Sequence, residues 1–426
     1  MMIEKNGSDD RHLPMELLLS RNPDICSRMG NRLNTKRPLQ AGFQLFFAML
    51  FLWLCPPFFS DPALAADWRL TPKLGVSGGY DDNIFYTQDD KVGSSIINAE
   101  PGLEADFKSL LSSIRLTADF EILSYLDESN LNRVNQYYRL DGNHRLGQRW
   151  DVRGGFRYYD DTTLNTYLEE TGRVVERINR EYLYAMGGIA YDISTISSID
   201  ANYSYEQARY EDDVFPDYDR QRVNLRYKHR LKNQQDELSV GPSYYIRTND
   251  LNDTDYVALD LGWERDWSDI TNTFASIGAR YTTVEDNDGN SDDSWGARAR
   301  FNLTRQGVAS QTRFEYYHDL ATLVDGTDVN VDNFYLRYDY LLTERFGVGI
   351  NGRLVFSYDL SSSQDGVEDN RYYMVEPFLF YRLTKDFRVY LRYSYQNSSK
   401  DLIDNDDSRE RNRAWIEFKY ELPMML

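Results

Sequence analysis

Between residues 371 and 397 apolar and polar side chains alternate with a period of two, and this pattern constrains the fold more than any other feature. Tyr373, Val375, Pro377, Leu379, Tyr381 and Leu383 fall on one face. After Thr384, Lys385 and Asp386 the same face resumes with Val389, Leu391, Tyr393 and Tyr395. Arg382, Arg388, Tyr390, Arg392 and Ser394 take the opposite face. Two runs of about ten residues with this alternation, joined by a short polar turn, read as a β-hairpin. Strands of this kind suit a transmembrane β-barrel, apolar toward lipid and polar toward a lumen. A half-buried strand of a soluble sandwich has the same period, so recurrence and connection lengths must decide.

The pattern recurs along the chain. Strands are expected near 70–80, 95–108, 113–126, 135–146, 150–160, 180–192, 197–210, 219–231, 236–249, 256–267, 272–283, 293–304, 307–320, 331–342, 346–359, 371–383, 387–397 and 411–422. Short connections at 108–113, 146–150, 192–197, 231–236, 267–272, 304–307, 342–346 and 383–387 alternate with long ones such as 160–180, 283–293, 358–371 and 397–411. Short periplasmic turns and long outer loops are the habit of bacterial outer-membrane barrels, and a sandwich has no reason to keep that order. Trp150, Trp267, Phe346 and Phe387 stand beside short turns, whereas Tyr158, Tyr203, Tyr205, Tyr244, Tyr316, Tyr358, Tyr373 and Tyr395 stand toward long loops. Two aromatic belts match the two bilayer interfaces. The fold class is therefore all-β: a transmembrane antiparallel up-and-down β-barrel of about eighteen strands, with sixteen the nearest alternative. Pro101, Pro242 and Pro377 lie inside strands, where each removes a ladder donor, and local bulges are expected there.

Residues 1–65 read as a leader with a secretory signal peptide. Arg32, Lys36 and Arg37 precede an apolar run over 43–59, and Ala63-Leu64-Ala65 supplies a small-residue cleavage site. Cleavage after Ala65 leaves 66–426 as one outer-membrane β-barrel domain. Both cysteines, Cys26 and Cys55, lie in the leader, so the barrel needs no disulfide in an oxidising compartment. A net charge of −20 argues against nucleic acid as a partner, since phosphate recognition requires a basic surface. The hydrophobic fraction of 41% hides a membrane protein from helical hydropathy because every second strand residue is polar.

The first strand ends in a compact box, Tyr80-Asp81-Asp82-Asn83-Ile84-Phe85, preceded by Leu70-Thr71-Pro72-Lys73-Leu74-Gly75-Val76. This resembles the opening of the β-barrel porin 2 family of outer-membrane proteins, in which a Tyr-Asp-Asp-Asn-apolar-Phe box follows the first strand of the mature chain. The barrel pattern behind it spans essentially all of 66–426. The resemblance implies an association with exopolysaccharide production and export, and with polysaccharide-export components as partners. The chain ends Tyr420-Glu421-Leu422-Pro423-Met424-Met425-Leu426, without the terminal aromatic common in such barrels, although Phe418, Tyr420 and Leu422 keep the phase.

Charges divide by position. Asp286, Asp288, Asp292 and Asp293 form an acidic loop that offers oxygen ligands to Ca²⁺ or Mg²⁺ bridging to lipopolysaccharide. The run lacks the spacing of an EF-hand loop, and solvated carboxylates are the plainer reading. On the inward phase stand Arg153, Arg157, Arg222, Arg226, Lys228, Arg298, Arg300, Arg313, Arg337, Arg353, Arg388 and Arg392. A lumen lined this way favours anions. Inward acids such as Asp141, Glu206, Asp260, Glu264, Glu315 and Asp339 offer the alternative, in which the arginines serve structural ladders. His144, His229 and His318 are far apart and no G-x-S-x-G signature occurs, so no enzyme and no cofactor is expected. The expectation is an aqueous conduit in the bacterial outer membrane, for exopolysaccharide or solutes, with lipid, lipopolysaccharide and the barrel-assembly machinery as partners. A plugged structural or adhesive barrel is the alternative.

Overall fold

A computed structural model describes residues 66–212, 215–323, 328–359, 369–401 and 406–425. The leader expected over residues 1–65 lies outside the described residues. Eighteen long antiparallel strands form one sheet: β1 (Asp67–Asp81), β2 (Ser94–Lys108), β3 (Ser112–Tyr125), β4 (Arg133–Leu146), β5 (Trp150–Thr162), β6 (Asn179–Asp192), β7 (Ser197–Tyr210), β8 (Tyr218–Arg230), β9 (Asp236–Asn249), β10 (Asn252–Ser268), β11 (Thr271–Asp286), β12 (Ser291–Gln306), β13 (Ser310–Thr322), β14 (Asp328–Leu341), β15 (Phe346–Asp359), β16 (Asp369–Arg382), β17 (Phe387–Asp401) and β18 (Asp406–Glu421). Each pairs with its sequence neighbours, and β1 pairs with β18 from Lys73↔Glu421 to Asp81↔Arg413, closing the barrel. A two-residue β19 (Met424–Met425) extends that seam along β1. Closure removes the unpaired edges that lipid could not satisfy.

The exterior carries the apolar phase. Val76, Ile189, Leu225, Leu261, Ile277 and Leu391 are exposed on the middle of the wall. Trp68, Trp150, Tyr227, Trp267, Tyr381 and Tyr420 ring the short-turn end, while Tyr80, Tyr203, Tyr281, Trp295 and Tyr373 ring the other. An apolar band between two aromatic girdles is what a bilayer demands of a barrel wall.

Two expectations change. The register is the same on either side of the three prolines: Ala99↔Ile122 and Gly102↔Asp119, Asn224↔Ser243 and Tyr227↔Val240, Val375↔Tyr395 and Phe378↔Arg392 keep one phase. Each proline interrupts pairing with one neighbour and keeps its ring outward, so no bulge is needed. A register shift sits instead between Asp266 and Ser268, beside the short turn into β11. The connections opposite the short turns are also not uniformly long, since β9 and β10 are joined by residues 250–251 and β11 and β12 by 287–290. There the strands continue beyond the apolar band, because ladder hydrogen bonds form in water as well as in lipid.

The long-connection end differs from the short-turn end inside the barrel. The segment between β5 and β6 turns inward and forms α1 (Thr163–Thr171), which packs across the lumen against β14 and β15. Leu164 and Leu168 are fully buried among Tyr86, Val329, Val331, Val355 and Tyr372. Each such leucine contributes about 1.5–3 kcal/mol of burial. Gly172 ends the helix with φ +74, and a Cβ there would lie 3.2 Å from the Tyr372 Cβ, so the close approach and the left-handed turn both call for glycine.

Candidate functional site: a charged lumen closed at one end

The box after β1 folds inward beside α1. Asp81 accepts hydrogen bonds from Arg411 Nε on both carboxylate oxygens, at 3.0 and 2.8 Å, and both side chains are buried. Arg411 Nη1 also donates to Asn165 of α1 at 2.9 Å, so one guanidinium joins β1, β18 and the helix. Asp82 accepts from the backbone and side-chain nitrogens of Asn412, each at 2.7 Å. Buried Asn83 donates to the Thr87 and Glu410 carbonyls, at 2.7 and 2.8 Å, and accepts from Thr87 N. Ile84 is fully buried and its carbonyl accepts from Arg177 at 2.8 Å. Tyr80 faces outward and Phe85 is exposed. The box therefore fastens the seam and the inward segments.

α1 is also held on the far wall. Arg353 donates to the Glu169 carbonyl at 2.9 Å and pairs with its carboxylate at 3.3 Å. Asn333 donates to the same carbonyl at 2.8 Å, and Ser398 to the Gly172 carbonyl at 2.9 Å.

Below α1 lies a cavity of about 730 Å³. Its ceiling is made by Tyr167 and Glu170 of α1 with Arg180, Tyr182, Tyr218 and Arg220, and its floor by Arg305, Gln306 and Gln311 at the short-turn end. The ceiling side chains of the wall are buried whereas the floor is exposed. Arg157, Arg313 and Arg337 line it between these limits, paired with Asp141, Glu315 and Asp339 at 2.7, 2.7 and 2.9 Å. Glu264 also lines it and accepts from Asn272 at 3.0 Å. Arg180 and Arg220 lie over the Tyr182 and Tyr218 rings, at 5.3 and 4.7 Å, and pair with Asp161 and Glu206. α1 lies outside the spanning strands, and burial pushes its Glu170 carboxyl up to about 7; Arg180 and Arg220 oppose the shift, while Glu206 and Asp161 add to it.

A second cavity, of about 300 Å³, opens in the wall of β7, β8, β11 and β12. Arg153, Arg222, Arg226, Lys228, Arg298 and Arg300 line it, against the carboxylates Asp200, Asp260 and Asp319. Arg298 is committed to Asp260 at 2.8 Å and Asp319 at 2.9 Å, and Arg153 to Asp200. Lys228 pairs with Glu237 at 3.2 Å, Arg222 donates to Asn224 at 3.1 Å, and Arg226 stacks over Phe274 at 6.0 Å. Cations thus outnumber carboxylates on this lining. Elsewhere, Arg392 bridges Glu376 and Glu417 at 3.0 and 3.2 Å, and Arg388 faces Arg382 and Lys419 in the ladder.

The twelve inward cations are therefore divided by the structure into a wall cluster, a row of ion pairs down the vestibule, Arg353 anchoring α1, Arg392 bridging the β16–β18 wall, and Arg388 beside other cations of that wall. Arg139, Arg180, Arg220, Arg247, Arg280, Arg305 and Arg411 also face inward and were not singled out by phase alone. Arg139 obeys the same alternation, whereas Arg180, Arg220 and Arg247 lie near strand ends, where the alternation fades. Asp286, Asp288, Asp292 and Asp293 do not converge. Asp286 accepts from the backbone nitrogens of Asp288 and Asn290, both at 2.9 Å, and Asp293 accepts from Thr283 at 2.7 Å. Among the described residues no three His, Cys, Asp or Glu side chains gather as a metal site. His144 and His229 bond to Ser112 and Ser197 on neighbouring strands, at 2.7 and 2.9 Å, and His318 to Asp332 at 3.0 Å.

The closed wall, its lipid-facing band and its two girdles place this chain in a bacterial outer membrane as an outer-membrane β-barrel. No family model matches the chain, and no curated protein matches it. Among solved structures, the chain is similar to the outer membrane protein OpdK of Pseudomonas aeruginosa, with 12% identity over 83% of this chain and 99% of that one and a TM-score of 0.40. It is also similar to Pseudomonas aeruginosa OccK2 (OpdF), solved in complex with glucuronate, with 13% identity over 84% and 98% and a TM-score of 0.43. Acinetobacter baumannii OccAB3 aligns at 11% identity over 84% and 99%, with a TM-score of 0.43.

Proposed function

We propose that this protein is an outer-membrane conduit for anionic solutes, working in the exopolysaccharide export that the resemblance of its first-strand box implies. The observation that carries the anion preference is the wall cluster, where Arg222, Arg226 and Arg300 join Arg153, Lys228 and Arg298 around one cavity. Charges in a narrow low-dielectric wall are focused, whereas loop carboxylates are screened over about 8 Å at physiological salt. Acids in the outer loops therefore count mostly at low ionic strength. Arg298 is excluded from the selectivity set because its removal would take the cation from Asp260 and leave Asp319 with Arg280 alone, at 3.2 Å. Lipid, lipopolysaccharide, the barrel-assembly machinery and export components are the partners this reading calls for.

The test is a reversal potential across planar bilayers under a salt gradient. The unaltered lumen should prefer anions, and R222Q/R226Q/R300Q should move the reversal potential toward zero or past it. Cation preference in the unaltered protein would return these arginines to a structural role.

A plugged structural or adhesive barrel is the second reading, favoured by one observation: α1 and the box fill the lumen at the long-connection end. Absence of conductance, even after α1 is released from its seat, would establish it.

A further inference from the structure

The two ends of the lumen are built differently, and the difference gives the conduit a direction. At the short-turn end the vestibule is lined by exposed Arg305, Gln306 and Gln311. At its other end the lining is tightly enclosed: Tyr167 is 2% exposed, Arg180 3% and Arg220 5%. What closes it is the chain's own segment 163–178, whose helix presents Tyr167 and Glu170 to the vestibule and Leu164 and Leu168 to the opposite wall.

We infer that solute enters this conduit from the short-turn, periplasmic end, and that residues 163–178 form the gate that leaves its seat before solute passes outward. The inference rests on the conduit reading above and adds a direction and a moving part. Three features support it. The vestibule is a preformed space of about 730 Å³, reached from the floor without moving α1. The gate is a connection rather than a strand, so it can leave while every ladder of the wall stays paired. Its attachment mixes the apolar contact of Leu164 and Leu168 with separate polar ties at Asn165, Glu169, Gly172 and Arg177, which can be exchanged for water when the segment lifts. A solute in the vestibule meets the underside of α1 at Glu170, beside Arg180 and Arg220, so an anionic group arriving there competes directly for these two guanidinium groups.

Residues 66–426 contain no cysteine, so Gln311→Cys gives a single reporter on the vestibule floor. Two proteoliposome preparations of opposite orientation are compared, each identified by labelling of separate D288C and K385C proteins with an impermeant thiol reagent. With the short-turn face outside, Q311C should react at least about tenfold faster than with the long-connection face outside, as expected when the outward-open state is a minor one. Equal rates would overturn the inference and leave the conduit itself standing. Adding L164S/L168S should raise the slow rate to the fast one, while labelling from the short-turn face confirms an intact barrel. A slow rate unchanged by that release would remove the gate from 163–178. Failure of the conduit reading is separate, because it would appear as a released barrel that carries no current.

Discussion

Asp81 and Arg411 stand 330 positions apart in the chain and meet as a buried, multiply hydrogen-bonded ion pair across the β1–β18 seam. Their partners on α1 and in the box make the pair a junction between barrel closure and lumen closure. Removing one partner strands the other charge in a buried site, which costs about 3–5 kcal/mol where the pair is fully enclosed. R411A should therefore lower the urea midpoint of the folded barrel markedly. D81N/R411M, which removes both charges, should lose less than R411A. Equal losses would show that the two side chains are not coupled.

The seat of α1 depends on Leu164 and Leu168. L168A should cost about 2–5 kcal/mol at that contact, and the loss should be local because no strand ladder includes the helix. Hydrogen exchange should accelerate across 163–178 while the amides of β6 to β12 keep their protection. Uniform acceleration through the wall would mean that α1 supports the barrel rather than occupying it.

Glu170 gives the seat a pH dependence. Its carboxyl is raised to about 7 from an ordinary 4.5 by burial, so the seated state binds more protons than the released state between those values. Stability of the seat is then greatest at low pH and falls as pH rises through this window. The groups facing Glu170 include Asp161 of β5, Arg180 of β6, Glu206 and Tyr210 of β7, Arg220 of β8 and Tyr317 of β13. Exchange in 163–178 should be more protected at about pH 5 than at about pH 8 after correction for intrinsic rates, and E170Q should flatten the difference. A profile unchanged in E170Q would assign the dependence to another group.

The barrel was legible in the sequence because lipid enforces a two-residue period on every strand. Strands expected at 197–210, 236–249 and 346–359 match β7, β9 and β15 at both ends. Errors concentrate at the long-connection end, where β10 and β11 continue into water and polar residues no longer alternate with apolar ones. The helix escaped notice because Leu164, Tyr167 and Leu168 make barely two turns, too few for a period of 3.6 to stand out. The box was visible as a motif, but the role of Asp81 depends on Arg411, and no local spacing links them. Inward phase located the arginines without distinguishing Arg298, saturated by two carboxylates, from Arg226 over an aromatic ring.

The most direct measurement of the conduit is single-channel current through the L164S/L168S barrel beside the unaltered one, in planar bilayers with a salt gradient. Release of α1 should turn small or infrequent openings into sustained conductance, with a reversal potential of the sign set by anions. No current from the released barrel, with its wall shown to be folded, would contradict the conduit and leave a plugged structural barrel.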